Sequence, residues 1–271
     1  MKSKIDYGLK FYREIFGLES LHFGYWVGNE PLTIEGLKNA QHRYIYHLVS
    51  FVPQGVKQML DVGCGTGVVA SELKKTGYEV ICISPDSDQE GIFRKTYGET
   101  IPFYKTKFED FKSDKKFDLL LFCESVQYIG LDKLFSKCAE LLKPNSYVLV
   151  SDYFRKEKTD YYKTTKVLTE FLQESERHKF EILKSEDITQ NVIPTLDLAK
   201  MLYERYGLPI VEILGAYFQS EHPAISKITS FLFRKKINKL KNYIYRHTPE
   251  KLDSKKFTEL MRYKIFLLKK L

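Results

Sequence analysis

The stretch MLDVGCGTGVVASEL, residues 59–73, constrains this chain more than any other. An apolar run carrying Asp61 passes into a turn with glycine at 63, 65 and 67, and then into a helical pattern from Val68. Glycine tolerates positive φ and lets a ligand approach the backbone, and the free N–H groups of a helix start attract electronegative atoms. Strand, glycine turn and helix in this order predict a βα unit whose turn cradles a nucleotide-like ligand. Two other glycine loops are excluded by spacing. A dinucleotide fingerprint needs Gly or Ala where Val68 stands and an acid ending the second strand, and a P-loop needs Gly-Lys-Ser/Thr. A turn that merely packs helix on strand is the alternative.

The chain around this unit repeats its pattern. Apolar runs and helical stretches alternate: QMLDV with VVASELKK, EVICI with SDQEGIFRKTY, a short IPFYK, FDLLLFC with LDKLFSKCAELL, then YVLVSDYF. Short strands separated by helices predict a parallel sheet buried on both faces. KFEILKSEDIT reads as a sixth strand, and MRYKIFLLKKL as a last one returning to the sheet edge with Tyr263, Ile265 and Leu267 on one face. The expected fold is α/β, an open seven-stranded, mostly parallel sheet with helices on both faces. Residues 1–50 are expected to form an N-terminal helical lid, with Leu9, Tyr12 and Ile15 as apolar positions. Residues 51–187 and 259–271 form the α/β core, and 188–258 a helical cap insertion.

Charge and cysteine usage narrow the function classes. Cys64, Cys82, Cys123 and Cys138 form no CxxC pair, which excludes a zinc ribbon or disulfide scaffold and predicts reduced thiols, no metal and a cytoplasmic setting. No run of ~18 apolar residues predicts a spanning helix, and no signal peptide is read at the N-terminus. The net charge is +8, but residues 221–271 hold 14 Lys/Arg against 4 Asp/Glu and the remainder is slightly acidic. Basicity thus belongs to one region, which argues against a general nucleic-acid protein. Within it, FLFRKKINKLKNYIYR sets Phe233, Ile237, Leu240 and Ile244 at helical spacing. Three readings stand: a solvated face over a packed stripe, a lid lying against an anionic membrane, and RNA binding, which ranks last because no recognition module is visible.

With these residues in view, the chain resembles the class I S-adenosylmethionine-dependent methyltransferases over residues 20–154, and within them the subgroup of sterol and tocopherol methyltransferases and cyclopropane fatty acid synthases. The second strand ends in ISPDSDQ, similar to the subgroup's I-T-L-S-x-x-Q, and His22, Gly24, Tyr25 and Trp26 match its H-x-G-Y-W-like segment. The resemblance implies a Rossmann-like core and S-adenosyl-L-methionine as cofactor. It implies cofactor contacts from Tyr25, Trp26, Asp61, Gly63, Cys64, Gly65, Gly67, Ser84, Gln89, Phe108, Glu109 and Cys123, and substrate contacts from Glu124, Gln127 and Tyr128. His22 and Tyr128 are the catalytic candidates. Two departures bear on activity. Lys107 stands where many relatives carry an adenine-binding Asp, and Gln127 where cyclopropane synthases carry a carboxylate, which disfavours cyclopropanation.

No NPPY-type tetrapeptide of amide or base methylation occurs, and aromatic residues make up 14%. The function expected is methyl transfer to a small, lipophilic acceptor: an isoprenoid, quinone, polyketide or lipid. The alternatives are an RNA-modifying methyltransferase and a cofactor-binding protein without methyl transfer.

Overall fold

The computed structural model describes residues 6–271, so the first five positions of the expected N-terminal lid lie outside the described residues. Two helices come first: α1 (Tyr7–Phe16) and α2 (Ile34–Val49). Asp6 caps α1 by accepting from the Leu9 N–H, and Gly17 ends it in the left-handed conformation. Thr33 caps α2 by accepting from the Gly36 N–H. These side chains satisfy amides that a helix start leaves without partners. Of the apolar positions expected on α1, Leu9 is buried, whereas Tyr12 and Ile15 are exposed.

Strands and helices then alternate: β1 (Gln58–Val62), α3 (Val68–Lys75), β2 (Glu79–Ile83), α4 (Ser87–Tyr97), β3 (Phe103–Tyr104), β4 (Phe117–Cys123), α5 (Leu131–Leu141), β5 (Leu142–Arg155), α6 (Leu168–Arg177) and β6 (Phe180–Asp187). Helices α7 (Thr189–Leu202) to α12 (Ser254–Leu260) precede the final strand, β7 (Met261–Lys270). The sheet order is β3-β2-β1-β4-β5-β7-β6. Strands β1 to β5 are parallel, and β7 runs antiparallel to both β5 and β6.

The last strand departs from expectation, because it is inserted between β5 and β6 instead of lying at the edge. The reason lies in its burial. Tyr263 and Ile265 alternate with Phe266 and Leu268 across the strand, and all four are buried; a strand covered on both faces belongs inside a sheet. Strand β6 carries Glu181, Lys184 and Glu186 along a largely exposed run and shifts register between Ile182 and Lys184. Charge and a bulge are the means by which an edge strand avoids pairing with another chain.

Contacts divide the chain into two units: residues up to Val192 together with Leu260–Leu271, and Ile193–Glu259. The first holds the whole sheet. One face of the sheet packs Leu60, Leu120, Phe122 and Val148 with Phe135 of α5 and Phe171 of α6. The second unit is helical, with α8 (Leu208–Glu221), α9 (Pro223–Leu232), α10 (Arg234–Asn242) and α11 (Thr248–Lys251) between α7 and α12. Within it, the Tyr203 hydroxyl donates to the Ile244 carbonyl at 2.6 Å and so links two π-helical turns.

Parallel order reverses between β1 and β4, which leave the sheet's carboxyl edge on either side of one crevice, the place where open α/β sheets bind ligands. The turn after β1 is packed tightly there. Gly67 has φ +88°, and a β-carbon on it would come within 2.5 Å of the Phe93 ring on α4. Gly67→Ala is therefore expected to destabilise the fold by about 2–4 kcal/mol, the sum of backbone strain and overpacking, measured as a lowered urea midpoint at unchanged m-value.

Candidate active site

The crevice is a cavity of ≈ 590 Å³ at the carboxyl ends of β1, β2, β4 and β5, within the range that holds a cofactor or drug-sized ligand. Its floor is the glycine turn. Gly63 passes so close to the start of the turn after β4 that a β-carbon would lie 2.6 Å from Ser125 Cβ, and the Ser125 hydroxyl donates to the Val62 carbonyl at 2.6 Å. Gly65, at φ +58°, has open space where a side chain would project. Asp61 sits beneath this turn, 1% exposed, and its Oδ2 has no hydrogen-bond partner among the described residues. Burial pushes its pKa up to about 7, because a carboxylate removed from water and left unpaired loses its solvation.

A second wall comes from the end of β2 and the start of α4. The Asp86 carboxylate caps α4 by accepting from the Asp88 and Gln89 N–H groups. The Ser84 hydroxyl donates to Gln89 Oε1 at 2.9 Å, which leaves the Gln89 amide –NH2 as the donating end of a side chain that lines the cavity. Thr106, Lys107, Phe108 and Glu109 line the same side. Cys64 and Cys123 also line the cavity, and burial pushes both thiols up.

The third wall is built around Glu124, which comes directly after β4 with φ +53°. A non-glycine residue in that region is held there by its surroundings. Here the Phe23 N–H donates to Glu124 Oε1 at 2.8 Å and the Tyr263 hydroxyl donates to the same oxygen at 2.7 Å. The Tyr263 hydroxyl lies 2.8 Å from that of Tyr44, which is 2.6 Å from Ser151 Oγ. Burial pushes Glu124 up to about 7 against the opposing effect of those two donors. Asp152 accepts from the Val126 and Tyr153 N–H groups, and burial together with the Glu124 charge raises it to about 8. Tyr153, Tyr128, Ile129 and Leu21 complete an aromatic and aliphatic side.

The structure thus brings together His22, Asp61, Gly63, Cys64, Gly65, Ser84, Gln89, Phe108, Glu109, Cys123, Glu124, Gln127 and Tyr128 around one cavity. It leaves out three residues expected at the cofactor. The Tyr25 ring packs at a tilt against that of His47, with centroids 4.4 Å apart. Trp26 is buried, and its backbone N–H donates to the Asn191 carbonyl at 2.8 Å while the Asn191 side chain donates back to the Trp26 carbonyl. Both hold the segment before α2 in place and do not line the cavity. Gly67 does not line the cavity; a β-carbon there would lie 2.5 Å from the Phe93 ring, which ties the position to helix packing. His22 lines the cavity, but its ring stacks on Tyr44 and its Nδ1 bonds the Phe23 carbonyl at 2.7 Å. Burial lowers its pKa to about 4, which makes it a poor proton acceptor near neutral pH.

Sequence reasoning missed Phe23, Tyr44, Asp152, Tyr153 and Tyr263. One signal was present, an Asp within the apolar strand YVLVSDYF. The others read as ordinary core aromatics until β7 brings Tyr263 beside Glu124. Away from the cavity, Asp132, Glu174 and His178 approach one another on the surface, where the Arg177 guanidinium already pairs with both carboxylates.

Known proteins resemble this chain in sequence and in fold. The sequence model of a family described as "Methyltransferase domain" matches residues 37–213. A ubiquinone biosynthesis O-methyltransferase of Rickettsia prowazekii (strain Madrid E) is 23% identical over 155 residues, which cover 54% of this chain and 61% of that protein. The chain spans about half to three-fifths of the length of such curated relatives. Among solved structures, the [4+2]-cyclase SpnF superposes with a TM-score of 0.69 at 18% identity, over 96% of this chain and 91% of that one. Geranyl diphosphate C-methyltransferase from Streptomyces coelicolor A3(2), solved with Mg2+, geranyl diphosphate and S-adenosyl-L-homocysteine, superposes with a TM-score of 0.69 at 14% identity, over 96% and 92%.

The Glu124 cluster generates a test that needs no ligand. Tyr263→Phe removes the hydroxyl shared by Glu124 and Tyr44, so the Glu124 carboxyl, observed by carbon NMR, is expected to titrate still higher than in the parent protein. Stability should fall by about 1–3 kcal/mol, the cost of leaving buried polar partners without a bond.

Proposed function

We propose, since this chain belongs to the methyltransferase domain family, that it transfers a methyl group from S-adenosyl-L-methionine to a small, lipophilic acceptor held beside Glu124. When bound, that cofactor supplies an electrophilic methyl group on a positively charged sulfur. The observation that carries the reading is the unpaired Asp61 Oδ2 under a glycine turn whose middle residue, Gly65, faces open space. An amino-acid ammonium fits that carboxylate, and the turn's backbone admits a ligand where a β-carbon would intrude. Gln89 would donate to ribose hydroxyls from the carboxamide that Ser84 orients. Phe108 and Glu109, which line the cavity from the β3–β4 connection, would meet the adenine.

Methyl transfer requires an acceptor atom in line with the breaking C–S bond and the exclusion of water, so positioning supplies much of the rate. Leu21, Ile129 and Tyr153 give the acceptor side an apolar surface. The names of the relatives, ubiquinone biosynthesis and geranyl diphosphate, carry quinone and isoprenoid chemistry and support a lipophilic acceptor. Where the acceptor loses a proton as it is methylated, Glu124 takes it: the carboxylate lines the cavity, is fixed by two donors through one oxygen, and has a pKa of about 7. His22, with a pKa near 4, does not serve as that base.

Calorimetry with S-adenosyl-L-homocysteine tests the cofactor half. Gln89→Ala is expected to weaken binding by about 1–2 kcal/mol, the scale of a lost hydrogen bond to a polar partner, and unchanged affinity would remove Gln89 from the site.

The pH profile tests the chemical half. Glu124 is active as the ionised form and its pKa is raised to about 7, so at saturating S-adenosyl-L-methionine, which keeps Asp61 paired, kcat/KM for the acceptor should fall as pH drops through that value and level off above it. Glu124→Gln should abolish this limb and lower kcat by about 10²–10⁴-fold, the usual contribution of a positioned base, with cofactor affinity unchanged.

A further inference from the structure

The helical unit Ile193–Glu259 carries a surface that nothing in the proposed reaction uses. Along α8, Ile213, Leu214 and Tyr217 are 66%, 60% and 62% exposed, and along α9, Ile228, Phe231 and Leu232 are 58%, 82% and 66% exposed. Their spacings, one, three and four residues apart, place each set on one side of its helix. Soluble proteins rarely leave contiguous large apolar side chains in water unless something covers them.

The next helix indicates the cover. Helix α10, RKKINKLKN, begins two residues after Leu232 and holds Arg234, Lys235, Lys236, Lys239 and Lys241 without any acidic residue. All five are exposed, and none forms an ion pair among the described residues. Apolar stripes flanked by cations without acidic partners have the chemistry of the headgroup boundary of an anionic bilayer, where aliphatic side chains enter the acyl region and Lys/Arg meet phosphate. Other occupants fit less well. Protein interfaces are depleted in lysine, a second copy of this chain would bring like charges together, and no nucleic-acid recognition module is visible in these helices. No helix among the described residues is long and apolar enough to cross a membrane, so the contact lies in the plane of the interface.

We propose that helices α8 to α10 dock on the surface of an anionic lipid bilayer, with the α8 and α9 stripes in the headgroup boundary and the α10 cations on lipid phosphates. The proposal is independent of the methyl-transfer reading, since it uses no residue of the cavity.

Flotation of the full chain with equimolar phosphatidylcholine–phosphatidylglycerol vesicles, against pure phosphatidylcholine vesicles, tests it. Binding is expected to the anionic vesicles and to weaken as salt rises. Lys235→Gln/Lys236→Gln/Lys239→Gln should lose about fivefold in partitioning for each cation removed, the equivalent of ~1 kcal/mol per basic residue near the surface. Phe231→Ser/Leu232→Ser should lose binding while the charge is intact. Both variants alter exposed positions, and circular dichroism and S-adenosyl-L-homocysteine affinity should match the parent, which separates a failure here from a failure of the proposed function. Equal binding to neutral and anionic vesicles, no flotation at low salt, variants that float like the parent, or a dimer in solution that Phe231→Ser/Leu232→Ser dissociates would each overturn it.

Discussion

The turn from β1 into α3 must do three things in five residues: clear the end of β4, expose its backbone to the cavity, and let α3 close against α4. Gly63 meets Ser125, Gly65 faces open space and Gly67 meets Phe93. A side chain at the first or third position pushes apart two packed elements, because protein interiors do not yield by several tenths of an ångström without loss. The crevice exists because the backbone comes this close, and Asp61 is trapped beneath it as a consequence. A buried carboxylate oxygen without a partner is costly in the ligand-free fold. In the proposed function that cost would be relieved when the cofactor's ammonium meets Asp61.

Strand β7 has an equally large effect on the opposite wall. Its antiparallel insertion between β5 and β6 carries Tyr263 opposite Tyr153 in register and sets its hydroxyl on Glu124. The segment before α2 supplies the other donor, from Phe23. Glu124 is thereby gripped from chain segments 101 and 139 positions away, which explains how a non-glycine residue holds φ +53°. Hydrogen bonding lowers the pKa of a carboxyl group and burial raises it; burial wins here, and the group is poised near neutrality. His22 beside it is driven the other way by the same desolvation, so one low-dielectric wall assigns proton-accepting capacity to the carboxylate and removes it from the imidazole.

Much of this was determined by sequence alone. Strand-forming runs alternating with helical ones define a parallel sheet because each strand is apolar on both faces, and the spacing of Gly63, Gly65 and Gly67 after Asp61 defines the turn. Ser84 and Gln89 are legible only as cofactor contacts, through the resemblance; their hydrogen bond to each other is nonetheless a local one, made five residues apart across a strand end and a helix cap. What only the tertiary structure decided are relations between distant segments: the place of β7 inside the sheet, the Tyr44–Tyr263–Glu124 hydrogen bonds, the packing of Tyr25 and Trp26 against His47 and Asn191, and the pKa values of His22 and Glu124. Periodicity reports which face of an element is apolar. It carries no information on which other element covers that face, and desolvation, the largest influence on these titrations, depends entirely on that cover.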